Sequence, residues 1–185
     1  MSDDRPLLPG EYAVLGLLGA EPRHGYDVSR HWQNSALAEV LPLEQSVLYG
    51  YLRTLERRGY LDWEEIRVGN RPPRRIFTLS EDGWSVLNAW MTAPVSRMRE
   101  VRLDLLLKIY VLRLIDPSRE PRLLRDQVEV CRRYLADADA HLATAEGFEH
   151  LVWDSKRTAA AGVLAWLQAL LPRESKKTPR RKAAS

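Results

Sequence analysis

Residues 43–79, LEQSVLYGYLRTLERRGYLDWEEIRVGNRPPRRIFTL, constrain the fold of this chain more than any other stretch. Leu48, Leu52 and Leu55 recur at i, i+4 and i+7, so the spacing predicts a helix over 45–58 with one apolar face that must lie on a core. Gln45, Ser46, Tyr49, Arg53 and Arg57 fall on the opposite side, a row rich in hydrogen-bond donors and free of acids. Gly59 is placed to end the helix, because the C′ position favours a residue that accepts positive φ. Leu61 to Val68 and Arg74 to Leu79 are strand-prone and flank Gly69-Asn70-Arg71-Pro72-Pro73, which reads as a hairpin with a loop longer than a tight turn. Arg67, Arg71, Arg74 and Arg75 sit in or beside it, and no carboxylate occurs from Ile66 to Leu79. A polar-faced helix followed by an arginine-rich hairpin is a winged helix-turn-helix in outline. An ordinary solvated helix face is the bland alternative.

The residues before this stretch supply what such a unit requires. Glu11 to Leu18 is dense in apolar residues and stops at Gly19-Ala20-Glu21-Pro22, which predicts a short buried helix behind a flexible lead at 1–9. A second helix is expected from Tyr26 to Leu37, with Tyr26 and Val28 toward the core, and Leu41-Pro42 breaks the chain before the next. After the hairpin, Ser80-Glu81-Asp82-Gly83 has a hydroxyl cap and acids in the first turn, the signature of a helix start. That helix closes near Pro94 and completes a first domain over residues 1–95.

A helical domain is expected over 100–171. Val101, Leu105, Ile109 and Leu112 form a stripe in a segment apolar nearly all round, so it should be buried between other elements. Leu124, Val128, Cys131, Leu135, Ala138, Leu142 and Ala145 then alternate spacings of 4 and 3, the pattern of a coiled-coil seam. Packing on the 101–115 helix inside the chain would satisfy it; pairing with a second copy is the sharper reading and makes these the dimerisation residues. Leu151 to Leu171 forms a last helix, stopped by Pro172. Tyr110, Tyr134, Trp153 and Trp166 are candidates to line an effector space, although aromatics at helical spacing are more often plain core.

A sequence pI near 9.1 does not by itself argue for nucleic acid. Residues 172–185 hold six Lys/Arg against Glu174, a basic tail expected to be disordered, and with +5 there and +3 in total the body is left at −2. A DNA-binding case must therefore rest on local patches. No apolar run approaches the roughly 18 residues of a membrane span, and the N-terminus lacks a signal peptide's pattern, so a cytoplasmic protein with no membrane partner is expected. The single Cys131 and the scattered His24, His31, His141 and His150 suggest neither a disulfide nor a metal site, and no cofactor is expected. The absence of a Gly-rich phosphate loop and of a nucleophile elbow argues against an enzyme.

With these motifs in hand, the chain resembles the PadR-type transcriptional regulators. EYAVLGLLGAEPRHGYDV is similar to the family's first helix and the His-Gly-Tyr entry to its second, SVLYGYLRTLERRGYL resembles its recognition helix, and RPPRRIFTLSEDG resembles its wing strand leading into the fourth helix. VRLDLLLKIYVLRL is similar to the start of the C-terminal domain in longer members. Gly50 stands where the family often has proline, Phe77 where tyrosine is usual and Ser80 where threonine is common. The resemblance implies a homodimer formed through C-terminal helices, binding to pseudo-palindromic double-stranded DNA, usually repression, and release by a small-molecule effector.

The expected fold is mainly α with a small β-hairpin: a winged helix-turn-helix domain plus a C-terminal helical dimerisation domain. The expected DNA-binding residues are Gln45, Ser46, Tyr49, Gly50, Arg53, Arg57, Arg71, Arg74 and Arg75. The competing reading is a winged-helix protein-interaction module that does not bind DNA specifically.

Overall fold

The computed structural model describes residues 5–67 and 74–171, and it divides them into two compact units, one ending at Val130 and the other beginning at Cys131. The expected hairpin loop with Arg71, and the expected basic tail, lie outside the described residues.

In the first unit, α1 (Pro9–Ala20) is the central post, with Ala13, Val14, Leu15 and Leu17 fully buried. Its start is not a loose lead from residue 5 onward. Arg5 donates two hydrogen bonds to the fully buried carboxylate of Glu11, at 2.9 and 2.6 Å, and the Leu8 N–H donates to the same group at 2.8 Å. A buried acid is thereby given a counter-charge and hydrogen bonds, which is what such a group requires.

A two-residue strand, β1 (Arg23–His24), leads into α2 (Gly25–Gln33), whose buried face is Val28, Ser29 and Trp32. Tyr26 is exposed, contrary to expectation, because it stands two residues before Val28, which at helical spacing puts it on the side opposite Val28 and Trp32. The helix also stops earlier than the sequence suggests. Ser35 Oγ donates to the Trp32 carbonyl and accepts from the Leu37 N–H, diverting the backbone before the short α3 (Leu37–Val40). Trp32 Nε1–H closes the turn beyond by donating to Leu41 O at 3.0 Å.

Next come α4 (Gln45–Arg57), β2 (Leu61–Ile66), β3 (Arg74–Leu79) and α5 (Glu81–Thr92). The anticipated ribbon is a three-stranded antiparallel sheet in the order β1-β3-β2, with Trp63 opposite Phe77, Glu65 opposite Arg75, and Arg23 opposite Phe77 on the other edge. The architecture is thus mainly helical with one small sheet, as expected for a winged helix.

The first unit does not end near residue 95. A loose π-helical turn at Val101–Leu105 runs into α6 (Leu106–Ile115), which packs against α1 and α5. Val101, Leu105, Leu107, Val111 and Leu112 are fully buried there. A helix apolar on nearly every side has to be enclosed, and α1 and α5 supply two of the faces that enclose it. Buried Gln127 ties the start of α7 (Glu120–Leu142) to the segment after α5. It accepts from the Val95 N–H at 2.7 Å and donates to the Val95 carbonyl at 3.0 Å.

The second unit holds the rest of α7 and α8 (Gly147–Leu170). His141 stacks on Trp153 with centroids 4.0 Å apart, and Arg157 pairs with Asp139. Among the described residues, no helix is long and apolar enough to cross a membrane.

Candidate nucleic-acid interface

The polar row of α4 faces outward because Leu48, Leu52 and Leu55 hold the opposite face in the core. Gln45, Ser46, Arg53 and Arg57 are exposed, while Tyr49 and Gly50 are half-buried. Glu44, the N-cap, makes no side-chain cap bond. The Val47 N–H already donates to the Glu44 carbonyl at 3.1 Å, and the exposed Glu44 stands at the helix start beside Gln45 and Ser46. A Cβ at Gly50 would meet only Arg53 Nη2, at 4.0 Å, so close packing does not demand glycine here.

At the other end α4 closes as a Schellman motif. Tyr60 N–H donates to Leu55 O at 3.0 Å and Gly59 N–H to Glu56 O at 2.9 Å, with Gly59 at φ +74°. Ser80 reinforces the join: its Oγ–H donates to the Gly59 carbonyl at 2.6 Å, and the same oxygen accepts from Gly83 N–H at 3.1 Å to cap α5. The end of α4 and the exit of β3 are thus tied at one point.

The His24-Gly25-Tyr26 motif also has a physical reading. His24 Nδ1–H donates to the Arg75 carbonyl at 2.9 Å, fastening β1 to the wing. A Cβ on Gly25 would lie 2.9 Å from Tyr49 Cε1 and 3.2 Å from Leu52 Cδ1. Glycine there lets α4 approach α2 closely enough for the Tyr49 ring to lie against it. Between α4, α2 and β3 lies an open cleft of about 610 Å³ bordered by Tyr26, Tyr49, Arg53, Arg74 and Phe77.

The two arginines of β3 differ. Arg74 is exposed and lies opposite Ile66, whereas Arg75 lies opposite Glu65. The Arg75 guanidinium is 3.1 Å from Glu56 of α4 and sits 3.9 Å from the centroid of the Trp63 ring. Sequence reasoning treated the pair as equivalent. Strand alternation places them on opposite faces, and that was the available signal. It also left out the exposed Asp62, Glu64 and Glu65 of β2, which confine the positive side of the wing to β3 and the loop end.

The other expected sites are less concentrated. Leu124, Val128, Cys131 and Ala138 are buried within one chain, and Leu135 and Leu142 are half-buried. Of the effector candidates, Tyr110 in the first unit shares a 2.7 Å hydrogen bond with His31 Nε2. Burial, then the Arg23 charge, lowers the pKa of His31. In the second unit Trp153 is taken up by His141, with Lys156 Nζ 4.1 Å from its ring, Tyr134 is half-buried, and Trp166 is exposed.

The outward row of α4, β2 and β3 all fall within residues 14–89, which match the transcriptional regulator PadR-like family. That family is described as one of transcriptional regulators. The negative transcriptional regulator PadR of Bacillus subtilis is 23% identical over 173 residues, covering 87% of this chain and 94% of that protein. The structure of Bacillus subtilis PadR in complex with operator DNA is 21% identical, covers 90% of this chain and 98% of that one, and gives a TM-score of 0.47. The same protein in complex with p-coumaric acid gives 21% identity, 90% and 96% coverage, and a TM-score of 0.40.

Proposed function

We propose that this chain is a PadR-like regulator, a homodimeric, sequence-specific DNA-binding repressor that leaves a pseudo-palindromic operator when a small molecule binds. The observation that carries the reading is the exposed, acid-free row of α4 flanked by Arg74 of the wing. Gln45, Ser46, Tyr49 and Arg53 face base edges or nearby phosphates in the major groove, Gly50 lies in the same row, Arg57 and Arg74 meet the flanking backbone, Arg75 belongs to the same wing, and Arg71, outside the described residues, is a further candidate for a phosphate contact. Repression is supported by the likeness to a negative regulator over most of both chains.

Dimerisation is supported by apolar surface that one chain leaves open. Phe148 and Leu151 of α8 are 80% and 63% exposed, and Leu135 and Leu142 of α7 are half-buried. With Leu124, Val128, Cys131 and Ala138 already covered, a second copy has these residues left to bury. A two-fold dimer places its recognition helices roughly 34–36 Å apart, one turn of the duplex. Effector release rests on likeness alone, with Tyr110, Tyr134, Trp153 and Trp166 as the residues to probe.

Footprinting on the DNA upstream of the protein's own coding region tests the reading. Protection of an inverted repeat, lifted by an effector from a panel of small aromatic acids, is the expected result. A partner protein retained at high salt with no protected DNA would favour the interaction-module alternative.

A further inference from the structure

We infer that Arg75 is a positioning residue, which locks the wing onto the end of the recognition helix, and that the neighbouring Arg74 is the wing's phosphate-binding arginine. The inference rests on the DNA-binding reading above and divides the labour inside it.

Arg75 belongs to β3 yet is engaged on three sides. Its side chain reaches Glu56 in the last turn of α4 at 3.1 Å and lies 3.9 Å from the Trp63 ring centroid on β2. Its carbonyl accepts from His24 on β1 at 2.9 Å. One residue therefore touches the recognition helix and both neighbouring strands. A planar guanidinium can stack on an indole and donate from its edge to a carboxylate at the same time, whereas an ammonium cannot hold both geometries.

Charge points the same way. Arg75 is paired with Glu56 at 3.1 Å, and Glu65, itself paired with Arg67, stands opposite it in the ladder, so its positive charge is partly offset by the protein. A phosphate arriving there would meet both acids. Arg74 sits on the opposite face of the strand, exposed, opposite Ile66. With the wing held at a fixed angle to α4, Arg74 can reach the backbone while α4 occupies the groove.

The test uses the full chain and a fluorescent duplex from its upstream region, with affinity read by anisotropy between 50 and about 200 mM KCl. Arg74→Ala should shallow the log–log salt slope by about 0.9, the loss of one phosphate contact. Arg75→Ala should weaken binding by roughly three- to tenfold at every salt concentration and leave the slope unchanged, since what is lost is an exposed ion pair and a cation–π contact. Arg75→Lys should fail to restore wild-type affinity. Glu56→Gln should weaken binding without changing the slope, and should add little to Arg75→Ala. The Trp63 emission, taken as the difference between wild type and Trp63→Phe, should change in Arg75→Ala before any DNA is added. A slope falling by about one in Arg75→Ala overturns the inference. So does full affinity in Arg75→Lys, or tighter binding with a steeper slope in Glu56→Gln. A wild-type chain that binds no duplex overturns the DNA reading itself, a result separable because the emission change needs no DNA.

Discussion

Ser80 joins the end of α4 to the start of α5, and its removal has a cost that follows from two bonds. As the N-cap of α5, its Oγ accepts from Gly83 N–H at 3.1 Å, and as a donor it satisfies the Gly59 carbonyl at 2.6 Å, just past the end of α4. Replacing an N-cap serine by alanine costs about 1 kcal/mol. The Gly59 carbonyl belongs to an exposed residue and finds water instead, so its lost bond costs the smaller net value of about 0.5–1 kcal/mol. Ser80→Ala should therefore destabilise by roughly 1.5–2 kcal/mol, a fall in Tm of about 3–8 °C for a chain of this size. Ser80→Thr keeps both bonds and should match wild type. Ser80→Asp keeps the cap acceptor but sets a carboxylate against the Gly59 carbonyl, so it should fall between threonine and alanine. Urea unfolding of the four proteins at pH 7 decides the matter. Alanine within about 0.3 kcal/mol of wild type, the scale on which independent surface changes are noise, would refute the capping argument. Aspartate as stable as threonine would refute the role given to the bond with Gly59.

Other consequences are independent of that bond. Gly25→Ala should cost about 1–3 kcal/mol of stability, because a Cβ there sits 2.9 Å from the Tyr49 ring, and it should also weaken DNA binding by displacing that ring; wild-type unfolding and affinity together would contradict the packing argument. Gln45→Ala should change which operator sequence is preferred, whereas uniform loss on all sequences would make Gln45 a positioning residue. Lys108 is buried at 4% exposure, donates to Ala93 O at 2.7 Å, and has its pKa lowered to about 8 by burial, against a smaller upward pull from Asp104. Between pH 8 and 10.5 the unfolded chain holds a proton that the folded chain has released, so stability should rise with pH across that window and be flat below it. The gain by pH 9.5 is on the order of 2 kcal/mol. In Lys108→Met the rise should vanish, and a wild-type urea midpoint that falls over the same interval would contradict the assignment.

How much of this was legible in the sequence follows from the range of each signal. The Leu48-Leu52-Leu55 stripe and Gly59 announced α4 and its end, because helix periodicity and a positive-φ stop are written locally. Ser80 was equally readable as a cap, but its second bond, to a carbonyl 21 positions earlier, was not. Strand β1 is two residues long and exists only because β3 offers an edge, so no local pattern could mark it. That the first compact unit runs on to Val130 was not readable, because an all-round apolar helix demands burial without naming what buries it. Gln127 shows the converse, a polar residue beside the apolar seam that is buried because the Val95 backbone satisfies it. The wing's basic character was read from its arginines. The division between Arg74 and Arg75 required the register that sets one opposite Ile66 and the other opposite Glu65.

The central claim is that the α4 row and the wing read DNA sequence. The most direct measurement is the ratio of affinities of the full chain for a duplex from its own upstream region and for a scrambled duplex of equal length, at about 150 mM salt. The account predicts preference for the upstream duplex by a factor of about 10³ or more, as specific binders show over their own non-specific binding. Equal affinity for the two duplexes, or none for either, would contradict it.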